Sequence, residues 1–200
     1  MIGILLSVVC GITLGIFFEI PFLIEYADPL SELGLCLLLF FIGVDIGFSK
    51  DVMSNLKKMS KKVLLLPFIG IIGSLIGGYV ASFFPGLPAK ECIAVAGGMG
   101  WYSFSAIELG QIDPYLGGVA LLTNVFRELL AIVFVPLVAK KIGSYESVAM
   151  CGATAMDSVL PIINKSNPPR ISIIAFYSGL VISVAVPIML PALIRIFGWQ

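Results

Sequence analysis

A charged pair, Arg127 and Glu128, lies near the middle of an otherwise apolar stretch that runs from Leu116 to Val138. About 20 apolar residues in a helix cross the hydrocarbon core of a bilayer, so this stretch reads as a membrane span. A charge at its centre costs roughly 2.5–3.5 kcal/mol on insertion scales. Asn124 precedes the pair by three and four residues, which predicts all three side chains on one helical face. Ionisable groups at that depth mark a binding site or an ion relay. The structural alternative is an Arg–Glu pair that locks two helices.

Composition sets the class. The 200-residue chain is 59% hydrophobic and 12% charged, with mean hydropathy +1.08. That is the profile of a polytopic membrane protein and not of a soluble domain. The formal net charge is zero, so nothing points to nucleic acid. There is no His, which removes the usual zinc ligands and the simplest proton shuttle. No metal or cofactor is expected, and protons must ride on carboxylates. Cys10, Cys36, Cys92 and Cys151 show no C-x-x-C spacing and read as small apolar packing residues. Residues 1–18 lack a basic leader and a cleavage site, so they read as a first span and not as a signal peptide.

Hydropathy predicts an all-α polytopic membrane protein with about five full spans and two broken or re-entrant segments. An N-terminal part, 1–84, holds spans 2–18, 33–48 and 63–84. Residues 91–143 pair a broken segment (91–111) with a span (116–141), and residues 146–198 do the same (146–164, then 171–197). The loop with Glu19, Glu25, Asp28 and Glu32 has no basic residue, whereas Lys50, Lys57, Lys58, Lys61 and Lys62 crowd the next. The positive-inside rule puts that second loop and the N-terminus in the cytoplasm. Full crossing of 91–111 would strand Lys140 and Lys141 outside. Re-entry keeps them inside, and re-entry of 146–164 keeps Lys165 and Arg170 inside and sends the C-terminus out.

An internal repeat fits this topology. A shift of 55 residues aligns Glu91 with Glu146, Ala94 with Ala149, Gly97 with Gly152, Pro136 with Pro191, Lys140 with Arg195 and Gly143 with Gly198. If each broken segment returns to its own side, the two units are inverted. Inverted repeats whose broken helices meet at mid-membrane are a transporter pattern.

The breaks carry the chemistry. Gly97, Gly98 and Gly100 in one short run each cost about 1 kcal/mol in a helix relative to Ala. Such backbone unwinds in a membrane only inside protein or beside a water cavity, where Gly100, Trp101, Tyr102 and Ser103 can present polar groups to a ligand. The alternative is tight helix packing, the reading given to Gly73, Gly77, Gly11 and Gly15. Gly152, Thr154, Asp157 and Ser158 form the matching element. Asp157 calls for a cation or donor nearby, or else caps the break by accepting backbone N–H bonds. Glu108 is expected near the outer vestibule and Asp45 at the cytoplasmic interface.

Gly100-Trp101-Tyr102-Ser103, Asn124-x-x-Arg127-Glu128-Leu129, and Cys151 to Asp157 with Leu160-Pro161 resemble the lysine exporter LysO family, and the helix end Leu38–Gly43 fits as well. The likeness covers the whole chain but only the C-terminal two-thirds of single-chain members, which carry a further N-terminal hydrophobic domain. The resemblance implies proton-coupled export of L-lysine and similar diamino acids across the inner membrane. It also implies a homo-oligomer, or a separately encoded small membrane subunit that supplies the missing half. On that reading Glu128, with Asp157 second, exchanges a proton for the substrate ammonium, and Arg127 with the N-terminal ends of the half-helices holds the α-carboxylate. Alternatives are a sodium or other cation/proton antiporter, a non-transporting partner subunit, and an intramembrane aspartyl protease using Asp45 and Asp157. The protease lacks its Gly-x-Gly-Asp pattern.

Overall fold

The computed structural model describes residues 61–199 except Pro85, together with scattered positions before Lys61. The expected spans 2–18 and 33–48, Asp45 and residues 50–60 of the lysine-rich loop lie outside the described residues as continuous elements. The chain divides into two compact units, Met1–Val44 and Asp45–Gln200, and the second carries every element below.

Among the described residues every regular element is helical. Two helices, α1 (Lys61–Leu64) and α2 (Leu66–Ala81), run into each other at Leu65. Pro67 sits in the first turn of α2, where a missing N–H costs nothing. The short helix α3 (Ala89–Ala96) begins after Pro88 with Glu91 in its first turn, the favourable end of the helix dipole for an anion. It is followed by α4 (Tyr102–Gly110) and the long helix α5 (Pro114–Lys141). Asp113 caps α5, accepting the Tyr115 N–H at 2.9 Å, and Lys140 and Lys141 fill its last turn. Then come α6 (Ser144–Ala149), a 3-10 turn (Gly152–Met156), α7 (Leu160–Ser166) and the second long helix α8 (Arg170–Ile196).

Helices α5 and α8 have 28 and 27 residues and are apolar enough to cross a membrane. At 1.5 Å per residue each is about 40 Å long, more than a hydrocarbon core of about 30 Å. The 16 residues of α2 make a shorter apolar helix. The order short helix, break, short helix, long helix occurs twice, over 89–141 and over 144–196. Helix α4 packs along α5, α2 against α3, and α8 against the 3-10 turn. Ala131 and Val135 of α5 meet Val148, Ala155 and Ile163 in one buried cluster. On its other side α5 exposes Leu122, Phe126, Leu130 and Val133, a stripe suited to lipid or to another apolar surface. The Tyr177 hydroxyl donates to the Leu64 carbonyl at 3.1 Å, so a carbonyl at the end of α1 gains a partner from α8.

Candidate functional site

The first break follows directly from the glycine run. Helix α3 ends at Gly97, and the chain turns through Met99 (φ 48°) and Gly100 (φ 94°) before α4 begins. Met99 is fully buried in the left-handed region, a conformation that costs a residue with a Cβ about 1–2 kcal/mol. Asn124 holds this turn in place. Its Oδ1 accepts the Gly100 N–H at 2.8 Å, and its Nδ2 donates to the carbonyls of Ala120 (2.9 Å) and Val95 (3.3 Å) and to Ser105 Oγ (3.3 Å). Ser105 Oγ in turn donates to the Trp101 carbonyl at 2.9 Å. Asn124 therefore spends its polar groups on the break itself. Trp101 packs on Phe104 with ring centroids 5.2 Å apart, and Ser103 is half-buried beside it in sequence.

The second break lies against the first. The Ala153 N–H donates to the Met99 carbonyl at 2.9 Å. Gly152 has φ 68°, and a Cβ on it would collide with that same carbonyl. Gly100 sits so close to Thr154 that a Cβ would come within 3.3 Å of the Thr154 methyl. Thr154 Oγ1 donates to the Cys151 carbonyl at 2.9 Å. Asp157 ends the 3-10 turn and is exposed; its Oδ1 accepts from the Ser158 N–H at 2.5 Å and from Ser158 Oγ at 3.1 Å. That is local capping of the break.

The charged pair of α5 separates. Arg127 Nη1 donates to Ser74 Oγ on α2 at 3.0 Å, and Ser74 Oγ donates to the Ala96 carbonyl at the end of α3 at 2.9 Å. Arg127 Nη2 lies against Gly152, 3.1 Å from where a Cβ would stand. Glu128 is 1% exposed, and neither carboxylate oxygen has a hydrogen-bond partner among the described residues. The Tyr102 hydroxyl, at the start of α4, lies within electrostatic range of both Glu128 and Asp157. Adjacent residues on a helix differ by about 100° in direction, so one charge turns to α2 and the other away from it.

A cavity of about 630 Å³ opens between α2, α3, α5 and the end of α6, with Arg127, Asn124, Ser74 and Thr123 on its wall and Glu128 outside it. Of the sequence-predicted site residues, Asn124, Arg127, Gly100, Gly152 and Thr154 converge where the breaks meet, while Asp157 and Ser158 sit at an exposed end. Sequence reasoning missed Ser74 and Ser105. Ser74 lies beside Gly73, inside a stretch read as packing; Ser105, four residues after Trp101, has the spacing of a hydroxyl that bonds back to a helical carbonyl. Among the described residues no group of three or more metal-ligating side chains gathers.

Comparison with known proteins agrees with the motifs. A family model described as lysine exporter LysO matches residues 5–194. The chain belongs to the lysine exporter LysO family. It is 31% identical over 184 residues to a protein of Escherichia coli (strain K12) named lysine exporter LysO, covering 92% of this chain and 60% of that protein. It is 34% identical over 161 residues to a putative lysine exporter of Haemophilus influenzae, covering 78% of this chain and 80% of the relative. The chain thus spans about 60% of the length of the Escherichia coli LysO relative. No solved structure matches. LysO proteins are a family of membrane exporters and not of enzymes, and two helices of this chain are long and apolar enough to cross a membrane.

Proposed function

We propose that this chain forms the core of an exporter of L-lysine and similar basic diamino acids that exchanges outgoing substrate for an entering proton. The observation that carries the reading is Glu128: a buried carboxyl with no hydrogen-bond partner on either oxygen among the described residues, one helix turn after the Asn124 that holds the first break. In this proposal the enclosed carboxylate holds the substrate ammonium and the proton in turn, which is what an exchanger requires. Asp157, exposed at the end of the second break, is the second carrier. Backbone and hydroxyl groups of Gly100 to Ser103, Gly152, Thr154 and Ser158 serve the passage of the substrate.

Energetics favour exchange over leakage. Lysine is a cation and the cell interior is negative, so each charge moved outward against 100 mV costs about 2.3 kcal/mol. A passive pore would load the cell with lysine. One lysine cation out for one proton in moves no net charge, and a pH gradient then supplies about 1.4 kcal/mol per unit.

The same proposal includes the topology: an N-terminal part to residue 84, then two inverted units, 91–143 and 146–198, each a re-entrant broken segment and a span. The cytoplasm holds the N-terminus and the C-terminus lies outside. Support comes from the twofold order of elements and from the basic loops. In this proposal the chain also works with a second copy of itself or with a separately encoded small membrane subunit.

Purified chain in proteoliposomes provides the test. Labelled lysine is expected to accumulate in lysine-loaded vesicles and not in empty ones, and Glu128→Gln to abolish efflux driven by a pH gradient while inserting normally. Normal gradient-driven efflux by that variant would end the role of Glu128. Sodium flux without lysine would favour a cation/proton antiporter. Lysine counterflow that appears only on adding a companion subunit would support the two-component form.

A further inference from the structure

Among the described residues the 630 Å³ cavity has one charged residue on its wall, Arg127, and no acidic one. We propose that it is the site for the α-carboxylate and α-ammonium of an amino acid, and that the side-chain ammonium is read elsewhere, at Glu128. The proposal rests on the amino-acid exporter reading above.

Four observations carry it. First, Ser74 is the one hydrogen-bond acceptor that Arg127 has among the described residues, and a guanidinium offers five N–H groups. Ser74 fixes the orientation of the fork and leaves the remaining donors for a planar anion such as a carboxylate. Second, Arg127 stands midway along α5, hence near the middle of the bilayer. Lipid headgroups lie at the interfaces, so a lipid phosphate is not the anion that meets Arg127. Third, the C-terminal ends of α3 (Val95, Ala96) and α6 (Ala149) line the same cavity. The Val95 and Ala96 carbonyls already accept from Asn124 and Ser74, so these ends offer an ammonium the partial negative charge of a helix C-terminus and not a free carbonyl. Fourth, apart from Arg127, Ser74, Thr123 and Asn124 the described wall is apolar, which accepts an aliphatic stem but offers a terminal ammonium no carboxylate. Glu128, one residue on and outside the cavity, is the nearest acidic group in sequence.

Equilibrium binding to the purified full chain in nanodiscs separates the two ends of the ligand. Lysine carries the α-carboxylate; cadaverine keeps both ammonium groups and lacks it; norleucine keeps the carboxylate and lacks the side-chain ammonium. Wild type is expected to bind lysine at least about tenfold more tightly than cadaverine, the scale of one charge-assisted contact. Arg127→Gln should collapse that ratio to about one, and Ser74→Ala should reduce it. Glu128→Gln should weaken lysine and cadaverine together and keep the ratio. Should Arg127→Gln fail to fold, Arg127→Lys keeps the charge without the fork and is expected to lower the ratio part-way. Folded Arg127→Gln that still prefers lysine over cadaverine tenfold would overturn the site and leave lysine export standing. Arg127-dependent binding of norleucine with no binding of lysine would keep the carboxylate site and sink the lysine reading. Folded wild type that binds none of the three overturns the proposal.

Discussion

Gly152→Ala tests whether the contact between the two breaks holds the fold together. Gly152 adopts φ 68°, and its missing Cβ leaves room for the Met99 carbonyl. An alanine there meets two costs. The left-handed conformation costs about 1–2 kcal/mol. The collision is with backbone, so Met99 must move, and the Ala153 N–H to Met99 O bond at 2.9 Å is lost. Leaving that buried pair unmatched costs about 1–3 kcal/mol. Arg127 Nη2 adds little, because a long side chain yields. The expected sum is about 2–5 kcal/mol, or a fall in unfolding temperature of roughly 5–15 °C for a chain of this size. Gly73→Ala is the control: its Cβ meets no atom within 4 Å, and alanine is favoured over glycine in a helix by about 0.5–1 kcal/mol. Both variants are melted in the same detergent and followed by circular dichroism. If Gly152→Ala unfolds at the wild-type temperature, the breaks are not coupled through this contact and the argument fails.

Asn124→Ala removes the acceptor of the Gly100 N–H and three donated bonds, so a loss of about 2–4 kcal/mol is expected. Faster amide hydrogen exchange at residues 99–101 would locate the loss, and unchanged exchange there would mean that the break holds without Asn124. Tyr177→Phe deletes the hydroxyl bond to the Leu64 carbonyl and should cost about 1 kcal/mol, read as faster exchange confined to the start of α2.

The long helices were legible because hydropathy and length report them directly: α5 and α8 occupy stretches where polar residues are few. The helix break at Gly97–Trp101 was legible for another reason. Gly97, Gly98 and Gly100 carry a local cost that no neighbour in sequence offsets, so the chain leaves the helix there. What fixes the break was not legible. Asn124 reaches Gly100 from 24 residues away, and Ser74 reaches Arg127 across 53. No pattern within a window of a few turns encodes such bonds; they follow from which helices become neighbours. The same holds for Asp157. Sequence left it open between a charged relay and a cap, and the structure shows a local bond to Ser158 on an exposed carboxylate, which is compatible with both.

Arg127 and Glu128 show how far adjacency misleads. Two opposite charges side by side in an apolar run suggest mutual neutralisation, but consecutive helical residues point about 100° apart. A lock between helices would place an Arg127 nitrogen on a Glu128 oxygen or on another acid. Among the described residues the guanidinium instead rests on a neutral hydroxyl, and neither carboxylate oxygen has a hydrogen-bond partner. No described residue compensates either charge, although burying one uncompensated costs several kcal/mol. Such an arrangement persists where function supplies the compensation. A diamino acid brings an anionic and a cationic end some distance apart, and it matches two separated opposite charges better than either a lone cation or a lone anion does. In the exporter reading the separation of the pair is therefore the basis of selectivity. A sodium ion would satisfy Glu128 and leave Arg127 unmatched. Sodium should then compete with lysine weakly in wild type and more effectively once Arg127 is neutralised.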